Sequence, residues 1–193
     1  MYMAFQGNHF TIKKQILALT GVFRIYDQNE QLIAYSKQKM FKLREDIRIY
    51  ADESQAQELL YIQARQILDF SAAYDVIDSV EQVQVGTLRR RGFRSILRDE
   101  WEVLGPGDRP LGTLTEDSVG YAMLRRLLLG SLLPQNYDVL INEQRVMDLR
   151  QRFNLFRYEL DLDFSSDTGR QLDHRLGIAA GILLGAVEGR QDS

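Results

Sequence analysis

The sequence predicts a mainly β protein: a closed antiparallel barrel of about a dozen short strands around a buried, apolar C-terminal helix. Three observations predict it. Nearly the whole chain breaks into short runs rich in β-branched and aromatic residues, separated by turn-forming residues, with period-two alternation inside the runs. Residues 176–187 are twelve in number and none is polar. A helix apolar all round must be buried in protein or lipid, and a bilayer span needs roughly 20 residues. Finally, a barrel of about a dozen strands has an interior too wide for its own wall to fill, and an apolar helix along the axis fills it.

The elements follow in order. Residues 22–26 and 32–35 flank Asp27-Gln-Asn-Glu30, two β-rich runs around a turn, hence a hairpin. Residues 46–50 and 59–62 flank Ala51-Asp-Glu-Ser54, a second hairpin, with Ile47 and Ile49 alternating against Arg48 and Tyr50. Residues 67–70 read as a further short strand. Residues 74–77 and 83–88 flank Asp78-Ser-Val-Glu81 as a third hairpin. Residues 89–98 are read as a short helix or an irregular connection. Residues 101–104 and 111–114 flank Gly105-Pro-Gly-Asp-Arg-Pro110, a turn by composition. Residues 118–129 predict an amphipathic helix, with Ser118 as its cap and Tyr121, Leu124, Leu127 and Leu128 on one face; Gly130 and Pro134 end it. Residues 137–141 and 145–149 form a last hairpin around Asn142-Glu-Gln144. Residues 156–163 alternate again, residues 165–169 are a loop, and the apolar helix closes the chain. Its Gly177, Gly181 and Gly185 fall on one stripe. Each costs roughly 1 kcal/mol relative to alanine, and close approach of the surrounding backbone is the expected compensation.

The chain has 193 residues, a net charge of −3 and no cysteine. That length suits one domain, spanning 1–193 with a core at roughly 8–190. The charge gives no global field toward nucleic acid. The missing cysteine excludes disulfides, thiolate metal sites and cysteine nucleophiles. The N-terminal residues lack the basic and apolar regions of a signal peptide. A cytoplasmic protein with no transmembrane segment is expected.

Several words of the sequence are more specific: YSKQKMFKLREDIRIY at 35–50, ILDFS at 67–71, RDEWE at 98–102 and EGR at 188–190. They resemble the LURP-one-related family, and the likeness covers roughly residues 8–190. The resemblance implies the tubby C-terminal fold, a barrel closed around a C-terminal helix. Wider kin of that fold include tubby proteins, which bind phosphoinositides, and phospholipid scramblases, which bind calcium at membranes. Carrying either activity over is analogy at the level of fold.

Three constellations bear on chemistry. Arg89, Arg90, Arg91, Arg94 and Arg98 lie within ten residues of an acidic chain. Guanidinium groups match phosphate bidentately, which points to an anionic phospholipid headgroup or a phosphorylated partner. The bland alternative pairs them with Asp99, Glu100 and Glu102. Lys37 and Lys39, with Lys42 and Arg44 beyond, make a second basic patch, or an edge-strand solubiliser. Asp161, Asp163 and Asp167 precede the helix where scramblases carry a calcium segment. Counted from Asp161, however, the glycine position of a calcium loop is Ser166 and its final acid is Leu172, so the pattern fails. Asp173 is placed to stabilise the helix N-terminus. A catalytic histidine needs an adjacent nucleophile or acid; Asp173 is next to His174 in sequence but helical neighbours do not face each other, and His9 and His174 are read as structural or exposed. No phosphate loop, dinucleotide fingerprint, serine elbow or zinc spacing occurs, and no cofactor is expected.

The functional expectation is a non-enzymatic binding or regulatory module. It would recognise anionic phospholipid, phosphoinositide included, or a protein partner through the basic residues. The competing expectation is an enzyme or lipid-transfer protein with a pocket between barrel and helix.

Overall fold

The computed structural model describes residues 3–15, 20–39, 46–66, 72–91, 100–116, 135–152, 154 and 157–188. A 3-10 turn, Met3–Phe5, leads into β1 (His9–Gln15), β2 (Thr20–Asp27), β3 (Leu32–Lys39), β4 (Ile47–Tyr50), β5 (Glu58–Gln66) and β6 (Ala73–Asp78). Then come β7 (Val83–Arg90), β8 (Glu100–Gly105), a 3-10 turn at Pro106–Asp108, and β9 (Arg109–Glu116). The wall ends with β10 (Asn136–Ile141), β11 (Gln144–Arg152) and β12 (Arg157–Asp163), and α1 (His174–Glu188) follows. Every strand pairs antiparallel with its sequence neighbour, and β1 pairs with β12, closing a twelve-stranded barrel. This is the barrel and central helix expected of the tubby-like fold.

Alternation decides which side chains face in. On β12, Tyr158, Leu160 and Leu162 are buried and the residues between them are not. Across the seams Ile12 lies opposite both Leu160 and Ile25, so the inward layers stack in register. Helix residues Leu176, Ile178, Ala179, Ile182 and Leu183 are all buried in the same core. The helix has no polar face because wall surrounds it on every side.

Three of the described hairpin turns share a mechanism. Asp27 Oδ1 accepts from the backbone N–H of Asn29 and Gln31, Asp52 Oδ1 from Ser54, and Asp78 Oδ1 from Val80 and Glu81. An aspartate at the start of a turn closes it by such local bonds. The last hairpin is tighter than its composition suggested. Gln144 already pairs with Ile141, leaving a two-residue turn, Asn142–Glu143, at φ 51° and 63°. Two successive positive φ values mark the turn whose twist matches the strands.

Three other expectations are corrected. The turn after β8 ends at Asp108, because Arg109 and Pro110 pair with Gly105 and Leu104. Proline is tolerated near a strand start. Arg89 and Arg90 belong to β7, not to a connection or helix. The glycine stripe meets side chains, not backbone. A Cβ on Gly177 would lie 2.6 Å from the Phe164 ring, one on Gly181 2.7 Å from Ile12 Cδ1, and one on Gly185 2.9 Å from Tyr158. The stripe is thus a trough for large residues of β1, β2, β11, β12 and the segment after β12. The strand expected at residues 67–70, the helix at 118–129, and Lys42, Arg44, Arg94 and Arg98 lie outside the described residues.

Candidate functional site: the charged ends of the barrel

Up-and-down topology gives the barrel two unlike ends. The turns at 28–31, 51–57, 79–82, 106–108 and 142–143 lie at the end where α1 begins. The ends of β1, β3, β7 and β11, and the start of β12, lie at the other, where α1 finishes. The turn end is rich in carboxylates, among them Glu30, Asp52, Glu53, Glu81, Asp108 and Glu143. The helix-exit end carries Lys13 and Lys14 on β1, Lys37 and Lys39 on β3, Arg89 and Arg90 on β7, Arg152 on β11 and Arg157 on β12.

These cations differ in what holds them. Arg89 sits opposite Glu102 in the ladder and its Nη1 lies 3.2 Å from that carboxylate. Arg91 reaches Glu100 at 2.5 Å and Glu102 at 3.1 Å. Burial lowers the Arg91 pKa, but its bonds to Glu102 and Glu100 outweigh that and raise it overall. Arg90 alternates to the inner face, opposite Trp101. In this structure the arginine cluster is therefore compensated, as far as it is described. Lys14 Nζ donates to the Gly185 carbonyl at 2.8 Å and lies over the Phe23 ring, holding the helix C-terminus. Lys13 lies over Tyr26. Lys37 and Arg157 are exposed, and among the described residues the side chain of neither has an ion pair or hydrogen bond. The side chain of Lys39 lies outside the described residues.

Asp161, Asp163 and Asp167 do not converge. Asp161 is bound by Arg152, and Thr11 donates to it at 2.9 Å. Asp163 accepts from the Ser165 N–H at 2.8 Å and lies 3.4 Å from His9. Burial raises the Asp163 carboxyl pKa, but the Ser165 bonds and His9 bring it below the ordinary value. Asp167 is buried, accepting from the N–H groups of Gln171 and Leu172. Among the described residues no group of three or more acids and histidines is placed to hold a metal ion. His174 is buried, its Nδ1 3.0 Å from the Phe5 carbonyl and its ring 4.2 Å from Phe164.

Sequence reasoning missed three features. The first is Arg175, in the first turn of α1, bonded to Asp173 at 2.7 Å, Asp78 at 2.5 Å and Glu81 at 3.3 Å. Asp173 also accepts from the Arg175 N–H, so it caps the helix. A cation at a helix N-terminus opposes the dipole; that oddity was the available signal. The second lies on the outer face of β5, β6 and β7. Arg65 grips Asp75 at 2.5 Å and Asp108 at 2.6 Å, and Thr87 donates to Asp75 at 2.7 Å. This straps the turn after β8 across β7. The third is Trp101, whose indole Nε1 is buried without a hydrogen-bond partner among the described residues. An unmet buried donor costs about 1–3 kcal/mol.

A closed twelve-stranded antiparallel barrel around one apolar helix matches the tubby-like fold. The LURP-one-related family profile matches residues 33–184, and the chain belongs to that family. A search of curated proteins found no match. No helix among the described residues is long and apolar enough to cross a membrane.

Proposed function

We propose that this protein is a non-enzymatic binding module for anionic phospholipid headgroups, phosphoinositides among them, engaged at the helix-exit end of the barrel. The observation that carries the reading is the pair Lys37 and Arg157, exposed and uncompensated on the same end of the wall. Unpaired surface cations need no partner removed before they meet a phosphate, and attraction to an anionic surface adds up over such residues. In this reading the binding face takes in Lys37 and Lys39 with the arginines at 89, 90, 91, 94 and 98. Arg89 and Arg91 would exchange a glutamate for the headgroup, which makes them secondary to Lys37. A cytoplasmic location belongs to the same proposal.

The test is co-sedimentation with phosphatidylcholine vesicles, with and without phosphatidylinositol 4,5-bisphosphate, at low and physiological salt. Binding that needs the phosphoinositide, weakens with salt and falls severalfold in Lys37→Gln/Arg157→Gln supports the reading. Absence of binding at either salt overturns it and directs the search to protein partners.

A further inference from the structure

Strands β1 and β12 close the barrel, and their register sets His9 directly opposite Asp163. Both lie on the outer face, since the alternating neighbours Phe10 and Leu162 are buried in the core. The chain leaving β12 is held at once. The Phe164 N–H donates to the Asn8 carbonyl at 2.8 Å, and the Asp167 N–H donates to the Phe164 carbonyl at 2.9 Å. That turn brings Ser165 beside His9, 156 positions away in sequence, with its Oγ 3.1 Å from His9 Nε2. On the other side of the ring, His9 Nδ1 lies 3.4 Å from Asp163 Oδ1.

The imidazole thus stands between a hydroxyl and a carboxylate. A turn cap accounts for the bond from the Ser165 N–H to Asp163 at 2.8 Å, but not for an imidazole bridging the two side chains. A carboxylate beside Nδ1 favours the tautomer protonated there, which leaves Nε2 as an acceptor for the serine hydroxyl. That hydroxyl lies within reach of both groups, and the rotor position facing Nε2 is the reactive one. Nucleophile, base and orienting acid in this order are what activates a serine. The Ser166 N–H, next in the chain, makes no hydrogen bond among the described residues, so it is open to a developing oxyanion.

We propose that Ser165 is an acyl-accepting nucleophile, with His9 as its general base and Asp163 as the positioning residue that orients the imidazole, and that its donor is a small activated ester or thioester. Ser165 Oγ attacks the donor's carbonyl carbon while its proton passes to His9 Nε2. The bond from that carbon to the leaving oxygen or sulfur breaks, the proton on Nε2 goes to the leaving group, and the acyl group stays on Ser165 as an ester. The His9 and Asp163 side chains are 51% and 46% exposed and Ser165 is exposed as well, so a dissolved donor reaches the hydroxyl without any opening of the barrel. The reaction modifies the protein itself, at the turn end, and is independent of the headgroup reading at the other end. The charged groups about the ring are Asp163, Asp148 opposite it on β11, and Arg145, whose charge acts on Asp163. On the β2 side Asp27, level with Phe10, is engaged by the N–H groups of its own turn.

The full chain is incubated with p-nitrophenyl acetate, and acetylated residues are located and timed by mass spectrometry of its peptides. Ser54 is the internal control, an exposed turn serine bonded to Asp52 with no histidine beside it. Ser165 is expected to react faster than Ser54 by on the order of 100-fold, the contribution of a placed general base. His9→Gln should remove most of that difference, and Asp163→Asn should slow the reaction severalfold. In the unmodified sequence the rate should rise with pH as the imidazole loses its proton and then level off, because only the neutral ring accepts a proton. That rise should vanish in His9→Gln and move to lower pH in Asp163→Asn, where the imidazolium has lost its neighbouring charge. Circular dichroism confirms that the variants are folded. Acetylation of Ser165 no faster than of Ser54 overturns the proposal without recourse to any variant, as does an unchanged rate in folded His9→Gln.

Discussion

Arg175 Nη1 lies 2.5 Å from Asp78 Oδ2, joining the first turn of the central helix to the end of β6. The two side chains are 10% and 3% exposed, and Asp173 and Glu81 complete the cluster. It ties the start of the helix to the turn end of the wall.

Removing one partner leaves the other charge buried. Asp78→Leu and Arg175→Met are each expected to cost about 3–5 kcal/mol, and the double variant to recover much of the loss. Urea unfolding of the three variants checks this. Additive losses would show that the two residues do not act as a pair.

The same pair sets an acid limit. Burial raises the Asp78 pKa, but the Glu81 N–H, Arg175 and the Val80 N–H together bring it below the ordinary carboxylate value. A depressed folded pKa contributes stability that is complete above the unfolded value, about 3.9, and is lost as pH falls through the folded one. Melting temperature should therefore hold steady above about pH 5 and drop below about pH 4. In Asp78→Asn that drop should be shallower, with a lower plateau. An unchanged acid slope in the variant would assign the effect to other carboxylates.

The glycine stripe is graded. At Gly177 an added Cβ meets two Phe164 ring atoms at 2.6 Å and Met147 Sδ at 2.8 Å. At Gly181 its nearest contact is Ile12 Cδ1, the far end of a flexible side chain. Gly177→Ala should lose about 1–3 kcal/mol through overpacking. Gly181→Ala should be near neutral, because the gain in helix propensity, about 1 kcal/mol, offsets a small shift of Ile12. Denaturant midpoints of the two variants give the ranking directly.

Ile182 is fully buried. Ile182→Asp should abolish folding, since an unpaired buried carboxylate costs several kcal/mol or more against a total stability of roughly 5–15 kcal/mol. A soluble variant with a cooperative melt would contradict the helix's place in the core.

The wall itself has a weak seam. β3 and β4 share a single aligned pair, Tyr35 opposite Tyr50. Every other described seam has four or more. Ser36, next to it, is buried with its hydroxyl unpartnered. Hydrogen exchange at Ser36, Lys37, Arg48 and Ile49 should be faster than at Phe23 and Ile25 by on the order of 100-fold, because sub-global opening follows the weakest pairing. Equal protection would show that the barrel opens only as a whole.

The fold was legible because it rests on local periodicities. Alternation in residues 46–50 and 137–141, turn residues such as Asp27 and Asp78, and the unbroken apolar run after Arg175 each depend on near neighbours alone. So did the cap at Asp173. The state of the arginines was not legible. Arg89 and Glu102 are thirteen residues apart, and only the β7–β8 register sets them face to face. The role of Arg175 was equally hidden, since Asp78 lies 97 residues away and meets it only when the barrel closes.

By itself, then, the sequence determined a barrel, its hairpins and the helix inside it, because strand period, turn chemistry and burial of an apolar helix are properties of short stretches. Tertiary structure alone decided which charges remain available. It paired Arg89 and Arg91, buried Arg175, left Lys37 and Arg157 exposed, and turned the Trp101 indole into the wall without a partner. Charge compensation depends on distances between residues remote in the chain, and those distances exist only once register and closure are set.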